Sequence, residues 1–170
     1  MTGPHYRAAQ RADAEAIAAL HADSWRRHYR GAYANAFLDG DVLADRLAVW
    51  SGRLRDADRA SRTVVAEDDG ALVGFAHTIF DHDPTWGALL DNLHVAAGNQ
   101  RRGIGTRLVS FSRAEVRAGM YLWVLEQNVA AQAFYEACGA RCVGRAAVEP
   151  PGGVAGRLNG SPAKLRYAWE

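Results

Sequence analysis

The stretch Gln100-Arg101-Arg102-Gly103-Ile104-Gly105 constrains the fold more than any other part of the chain. The run before it, Ala88–Val95, is short and apolar like a buried strand, and Thr106 opens an amphipathic segment. A glycine-containing turn between a strand and a helix presents free N–H groups, and the helix dipole there favours negative charge. Gly103 and Gly105 lack Cβ atoms, so a phosphate has close access to the main chain. The sequence therefore predicts a site for a phosphorylated ligand.

Two common phosphate-binding motifs do not fit this stretch. A P-loop requires a lysine and a Ser/Thr after its second glycine, and the chain contains no Gly-Lys pair. A dinucleotide fingerprint requires a third glycine three residues after Gly105, where Leu108 stands. Taken alone, the motif leaves open an ordinary strand-to-helix turn with arginines on its surface.

A second segment, residues 122–139, has the pattern of a strand followed by a helix. Trp123 to Leu125 suit a buried strand, Asn128 is a good N-cap, and Gly139 is a good helix stop. Apolar and aromatic side chains recur between them at helical spacing, at Ala131, Phe134, Tyr135 and Cys138.

Together the two segments resemble the acetyl-CoA-binding half of the GNAT superfamily of N-acyltransferases. The family carries a Gln/Arg-x-x-Gly-x-Gly/Ala loop after its fourth strand, matched here at Gln100, Gly103 and Gly105. It also carries Asn-x-x-Ala-x-x-Phe-Tyr followed by a glycine, matched here at Asn128, Ala131, Phe134, Tyr135 and Gly139. The chain departs from the family at Ala97, where proline is frequent, and at Ala140, where an aromatic residue is frequent.

The resemblance implies a single mixed α/β (α+β) domain over residues 1–170. Its sheet is expected to be mostly antiparallel, with six or seven strands and about four helices. The fourth and fifth strands should be parallel and splay apart, leaving a slot for the cofactor arm. The pattern of the chain itself predicts seven strands, near 6–9, 62–67, 71–80, a segment that ends at 95, 120–126, 141–148 and 163–169. It predicts helices over 13–29, 41–54 and 106–118, and a further helix that begins at 128. The segment 31–40 is predicted to be a break, and the segments 81–84 and 150–162 are predicted to be loops.

The same resemblance implies that acetyl-CoA is the cosubstrate. Its pyrophosphate should lie on the backbone amides of the loop, and guanidinium groups there are candidates for the remaining phosphates. Main-chain amides of the preceding strand should hold the pantetheine arm like an added strand. The predicted cofactor-binding residues are Leu93, Val95, Gln100, Arg101, Arg102, Gly103, Ile104, Gly105, Thr106, Asn128 and Tyr135. No metal site is expected.

Tyr135 is the candidate general acid, because a phenol at the sulfur can protonate the thiolate that amine attack expels. The base stays open between Asp91 and Glu126, with His94 slightly behind them. An unperturbed histidine has the more suitable pKa, whereas a carboxylate needs burial to raise its own. Asp91 and His94 should point to opposite faces of an extended strand, so that at most one of them faces the site.

The predicted activity is N-acetyl transfer to a primary amine of a small molecule, by direct attack in a ternary complex. A peptide or protein acetyltransferase, acting on an N-terminus or a lysine, and a non-catalytic acyl-CoA sensor are the alternatives. The acceptor pocket should come from the first two helices, with Ser24 to Tyr29, from the loop 81–86 and from the late Gly/Pro-rich loop. A closed pocket or an open groove depends on the loops at 31–40 and 150–162.

Composition is consistent with this prediction. With 20 basic and 19 acidic residues the net charge is +1, so the chain has no general attraction to nucleic acid or to an anionic membrane. The two cysteines give no disulfide framework, and no apolar run approaches the length of a membrane span. We therefore expect a cytoplasmic protein, and the family resemblance allows a homodimer.

Overall fold

The computed structural model describes residues 3–56 and 58–170. The elements are β1 His5–Ala8, α1 Ala14–His28, α2 Asn35–Asp39, α3 Val42–Arg55, β2 Ser61–Asp68, β3 Ala71–Asp83, β4 Gly87–Val95, α4 Ile104–Ala114, β5 Met120–Leu125, α5 Val129–Ala137, β6 Arg141–Ala147 and β7 Ala163–Trp169. Short 3₁₀ turns precede α1 and α4 and interrupt the segment between β6 and β7.

The strands form one sheet in the order β1-β2-β3-β4-β5-β7-β6. Every neighbouring pair is antiparallel except β4 and β5, which run parallel. Those two strands pair only where they begin, at Ala88 with Met120 and at Leu89 with Tyr121. Beyond these pairs they diverge, which confirms the predicted splayed pair and opens a slot through the middle of the sheet.

Helices cover both faces of the sheet. On one face α1 and α3 pack on β2 and β3 through a cluster that includes Ile17, Trp50 and Phe75. On the other face α4 and α5 pack through Leu108 and Tyr135 against residues from β2 to β7. Burial of these apolar side chains holds the helices on the sheet and fixes both sides of the slot.

Three predicted boundaries were wrong. The segment 31–40 contains α2, because Phe37 and Leu38 are buried in a cluster with Val42. The segment 81–84 is not a plain loop, since β3 continues through a bulge until Asp83 pairs with Gly87. Helix α4 ends at Ala114 rather than near residue 118.

Two kinds of site are absent from the described part of the chain. None of its helices has both the length and the apolar composition that crossing a membrane would need. Residues 3–56 and 58–170 also contain no group of three or more His, Cys, Asp or Glu side chains that could hold a metal ion.

Candidate active site

A cleft of about 750 Å³ occupies the slot between β4 and β5. Its walls come from five parts of the fold: α1, β4, the loop before α4, β5 and α5. The lining residues are Ser24, His28, Tyr29, residues 90–95, Asn99, Gln100, Arg101, residues 103–106, Trp123, Val124, Asn128, Ala130, Ala131 and residues 133–135. The volume lies in the range usual for small-molecule sites.

One end of the cleft, which we call the cofactor end, consists of the loop 99–106 and the start of α5. Gly103 is the N-cap of α4 and has a φ of 77°, a left-handed conformation that favours glycine. The N–H of Arg107 donates to the Gly103 carbonyl oxygen (3.0 Å) as the first bond of the helix. The amides of residues 104–106 precede that bond and line the cleft, so they are available to an anion.

The second glycine of the motif has a different role from the predicted one. A Cβ atom on Gly105 would lie 3.1 Å from Cζ of Phe134, which is tighter than ordinary van der Waals contact. Gly105 therefore lets α5 pack closely against α4, whereas the sequence prediction assigned its missing Cβ to the approach of a phosphate. A Cβ on Gly103 would meet nothing within 4 Å, so the space beside that residue is open.

The side chains of the loop divide between the cleft and the surface. Arg101 and Gln100 line the cleft. The amide nitrogen of Gln100 also lies 3.4 Å from the Val95 carbonyl oxygen, at the long limit of a hydrogen bond. Arg102, predicted to contact the cofactor, does not line the cleft and instead pairs with Asp68 (2.6 Å). That ion pair leaves Arg101 as the guanidinium of the loop within the cleft.

The edge of β4 presents main-chain groups to the slot. The N–H of Ala96 donates to the Val73 carbonyl oxygen of β3 (2.8 Å). Because successive N–H groups along a strand point to opposite edges, those of Val95 and Leu93 face the slot, where β5 has already diverged. An extended ligand can therefore hydrogen-bond to both amides, as the sequence predicted for the pantetheine arm.

Helix α5 places its polar groups as its sequence pattern predicts. The side-chain oxygen of Asn128 accepts a hydrogen bond from the Ala131 N–H (3.1 Å) and caps the helix. Tyr135 is buried, lines the cleft, and packs its ring against Phe134 and Trp169. Burial raises the pKa of Tyr135, with smaller contributions from Tyr29 and Cys138, so the hydroxyl keeps its proton at neutral pH.

The opposite end of the cleft, which we call the acceptor end, contains Ser24, His28 and Tyr29 from α1, Asp91 and Asn92 from β4, and Trp123 from β5. Burial raises the pKa of Tyr29 to about 12, and the negative charge of Asp91 adds to that rise. Tyr29 in turn contributes to the raised pKa of Tyr135. Asp91, Tyr29 and Tyr135 all line the same cleft.

Asp91 reaches the cleft through an irregularity in β4. Asn92 pairs with His77 and Leu90 pairs with Thr78, so Asp91 is an extra residue, a β-bulge, between two regular pairs. The prediction that Asp91 and His94 face opposite sides was wrong, because both line the cleft. A bulge resets the alternation of side chains on which that prediction rested.

Glu126 does not lie in this cleft. It is exposed beside a second hollow of about 330 Å³ that is also lined by Gly31, Gln127 and Arg145. Both of its carboxylate oxygens accept hydrogen bonds from Arg145 (2.8 and 2.9 Å), and that guanidinium lowers the pKa of Glu126. The two candidate bases that the sequence ranked equally are therefore in different places.

His94 lines the cleft but is already engaged. Its Nδ1 lies 2.7 Å from the Ser24 hydroxyl, and its ring lies 4.6 Å from that of the fully buried His21, centroid to centroid. Burial lowers the pKa of His94 to about 3, with smaller contributions from His28 and Arg46. His94 is therefore neutral near pH 7 and a weak proton acceptor.

Parts of the predicted acceptor region contribute nothing to the lining. Trp25 is buried beneath the cleft, with the Arg46 guanidinium 4.3 Å from its ring centroid. Trp86, from the predicted loop 81–86, packs beside Arg166 outside the cleft. Sequence reasoning missed Asn92 and Trp123 as lining residues, because a strand pattern does not indicate which of its side chains a slot will expose.

Comparison with known proteins agrees with the geometry of the cleft. The model of the acetyltransferase (GNAT) family matches residues 20–140. A curated relative from Mycobacterium tuberculosis, described as a probable N-acetyltransferase (Rv2775), is 32% identical over 134 residues, which cover 76% of this chain and 75% of the relative.

Solved structures with the same fold have far lower identity. The PaiA N-acetyltransferase of Thermoplasma acidophilum, crystallised with coenzyme A, has a TM-score of 0.73 at 16% identity over 97% of this chain and 98% of that one. NAA60 of Arabidopsis thaliana, in complex with a bisubstrate analogue, has a TM-score of 0.69 at 18% identity over 98% and 97%. These two likenesses establish the fold.

Proposed function

Because the chain belongs to the acetyltransferase (GNAT) family and uses acetyl-CoA, we propose that it transfers the acetyl group directly to a primary amine of a small molecule. The observation that carries the proposal is the continuous cleft, which joins an anion-binding loop at one end to a small polar and aromatic pocket at the other. Tyr135 lies between these two ends.

The cofactor end supplies the groups that acetyl-CoA requires. The free amides of residues 104–106 and the Arg101 guanidinium suit its pyrophosphate. The N–H groups of Leu93 and Val95 suit the amide-containing pantetheine arm, which would lie along β4 as an extra strand. In this position the thioester lies near Val95, whose N–H can stabilise the oxyanion that forms during attack.

Tyr135 is the proposed general acid. The amine nitrogen attacks the thioester carbon, a C–N bond forms, and the C–S bond breaks. The sulfur leaves with the bonding electron pair and takes the proton of the Tyr135 hydroxyl, giving the thiol of coenzyme A. Burial keeps the phenol of Tyr135 protonated when the amine arrives, so the hydroxyl has a proton to donate.

Asp91 is the proposed acceptor of the amine proton. It lines the acceptor end, whereas Glu126 borders another hollow and His94 is too weakly basic near pH 7. A carboxylate at this position can also attract the cationic amine, which gives up one proton to water before it attacks, because only the neutral amine has a lone pair. As the C–N bond forms, the nitrogen becomes positively charged and acidic, and its proton passes to Asp91 directly or through water.

The size of the cleft favours a small acceptor over a peptide. Its volume of about 750 Å³ has to hold the end of the acetyl-CoA arm as well as the acceptor, so the room that is left suits a small amine. The segments 31–40 and 150–162, on which the sequence made this choice depend, contribute no residue to the lining. They are joined to each other by hydrogen bonds from the Ala34 N–H to the Arg157 carbonyl and from the Asn159 N–H to the Ala32 carbonyl (2.8 Å each).

The test is release of coenzyme A thiol from acetyl-CoA with matched acceptors: small primary amines, amino acids, polyamines and N-terminal peptides. We expect turnover on one class of small amine, with intersecting double-reciprocal plots that indicate a ternary complex. Turnover on peptides alone would overturn the small-molecule proposal. Parallel plots would instead indicate a covalent acetyl-enzyme and overturn direct transfer.

A further inference from the structure

We propose that Arg53 is the positioning residue for the acceptor end, because it holds the Asp91 carboxylate and the Asn92 amide in the orientation that faces the amine. Arg53 lies on α3 and is 38 positions from Asp91 in the sequence. The inference rests on the proposed function, in which Asp91 accepts the amine proton.

The guanidinium of Arg53 contacts two neighbouring side chains of β4 at once. Its Nη2 donates to Oδ2 of Asp91 (2.8 Å), and its Nη1 donates to Oδ1 of Asn92 (2.9 Å). The side chains of Arg53 and Asp91 are 30% and 29% exposed, so the pair is neither fully solvated nor sealed from the cleft. A fork of this kind fixes direction as well as distance, which a single charge does not.

These contacts occur where a bulge interrupts the pairing of β4 with β3. Asp91 is the bulged residue, and the pairs on either side of it, Asn92 with His77 and Leu90 with Thr78, are regular. A bulge re-aims a side chain but interrupts the hydrogen-bond ladder that would hold the strand. Arg53 binds the bulged residue and the residue after it, and so restrains the side chains that the ladder leaves free.

Arg53 is itself fixed by the core. Its guanidinium carbon lies 4.9 Å from the ring centroid of Trp50, one turn earlier on α3. Trp50 is fully buried and donates from Nε1 to Nδ1 of His21 (2.9 Å). The orientation of Asp91 is therefore linked to the core beneath α1 and α3 rather than to a mobile surface side chain.

Charges around Asp91 come from each element packed against it. Arg53 faces it from α3, Tyr29 from α1, His77 from β3 and Tyr121 from β5. The negative charge of Asp91 helps to raise the pKa of Tyr29 and of Tyr121, and opposes the lowering of the pKa of His77. Tyr29 and Tyr121 are neutral near pH 7, and burial keeps His77 neutral, so Arg53 supplies the positive charge.

A double-mutant cycle on the full chain tests the proposal with acetyl-CoA and the best amine found. We expect Arg53→Gln to lower kcat/KM for the amine by about tenfold or more, as for a displaced site group, and to leave KM for acetyl-CoA unchanged. In a protein that already carries Asp91→Asn, the Arg53→Gln substitution should lower kcat/KM for the amine only slightly further.

Two further variants separate positioning from folding. Arg53→Lys keeps the charge but not the fork, so we expect kcat/KM for the amine to stay low. Arg55→Gln, on the same helix but exposed and 3.6 Å from Asp56, is the matched control and should have wild-type kinetics. Thermal unfolding of every variant shows whether a loss of rate is a loss of folded protein.

Three results would overturn the inference. Wild-type kcat/KM in Arg53→Gln, with Asp91→Asn impaired, would show that Arg53 does not position the proton acceptor and would leave the proposed function standing. An equal loss in both backgrounds would indicate a structural role only. Wild-type turnover in Asp91→Asn would show that Asp91 is not the proton acceptor, and Arg53 would then have no acceptor to position.

Discussion

The two ends of the cleft are built in different ways. The cofactor end comes from two contiguous segments, residues 99–106 and 128–134, and its binding groups are mostly backbone amides and a glycine conformation. The acceptor end combines side chains from α1, α3, β4 and β5 that are far apart in the sequence, such as Arg53 and Asp91. A short sequence motif is enough to specify the backbone geometry of the cofactor end. The side chains of the acceptor end come together only after the chain has folded.

The largest effect is expected where the two ends meet, at Tyr135. Tyr135→Phe keeps the ring and removes the proton donor, so we expect kcat to fall by about 10²-fold or more, the usual contribution of a general acid. Affinity for acetyl-CoA should change little. Single-turnover kinetics provide the measurement, because they exclude a slow release step.

Tyr6→Phe, a change of the same atoms outside the cleft, is the control for Tyr135→Phe. An unchanged rate of the chemical step in Tyr135→Phe would show that Tyr135 is not the general acid.

The next effect is a pH dependence of folding stability that arises from histidines at the acceptor end. Burial lowers the pKa of His21, of His77 to about 4 and of His94 to about 3, and all three lie under or in the acceptor end. Because the unfolded chain binds protons on these residues that the folded chain does not, stability is complete above pH 6.5 and falls as the pH drops toward the folded values. Each histidine contributes up to about 1.4 kcal/mol per pH unit in that window.

Urea unfolding at pH 7.0 and 5.5 checks this expectation. His77→Gln should flatten the dependence of the unfolding free energy on pH, and His5→Gln, at an exposed position, should leave it as in the wild type. A wild-type stability that does not change between the two pH values would contradict the neutral buried histidines.

A smaller effect should be confined to the cofactor end. Gly103→Ala forces an L-residue into a φ of 77°, which costs about 1–2 kcal/mol. If part of this strain is relieved by movement of the loop, affinity for acetyl-CoA should fall by about tenfold, while KM for the amine stays the same. Titration calorimetry measures the change.

Gly98→Ala is the matched control for Gly103→Ala, since a Cβ there meets nothing within 4 Å and the backbone has no positive φ. Equal acetyl-CoA affinity in Gly103→Ala and the wild type would mean that the loop conformation does not matter for binding.

The smallest effect is expected at Glu126, which the sequence ranked level with Asp91. Glu126→Gln breaks an exposed pair with Arg145 outside the cleft, so kcat/KM should stay within about twofold of wild type, in line with the small energy of such pairs. A tenfold loss would show that the acceptor extends into the second hollow and that the boundary drawn here between the hollows is wrong.

The two ends of the cleft also differ in how much of each the sequence predicts. The loop, the Asn128 cap and the divergence of β4 and β5 all follow from local pattern and the family resemblance. The position of Asp91 did not, because a bulge between regular pairs leaves no signal in the alternation of residues. The ion pairs of Arg102 with Asp68 and of Glu126 with Arg145 could not be predicted either, since they depend on which surfaces meet after folding.

The most direct test of the proposed transfer from the cofactor end to the acceptor end follows the acetyl group itself. Acetyl-CoA labelled in the acetyl carbon is incubated with the wild-type protein and the amine panel, and the label is traced to amine, protein or residual cofactor. We expect label on one class of small primary amine, in amounts equal to the thiol released, and none held by the protein. Label retained on the protein, or bound acetyl-CoA that passes no label to any amine, would contradict direct transfer across the cleft.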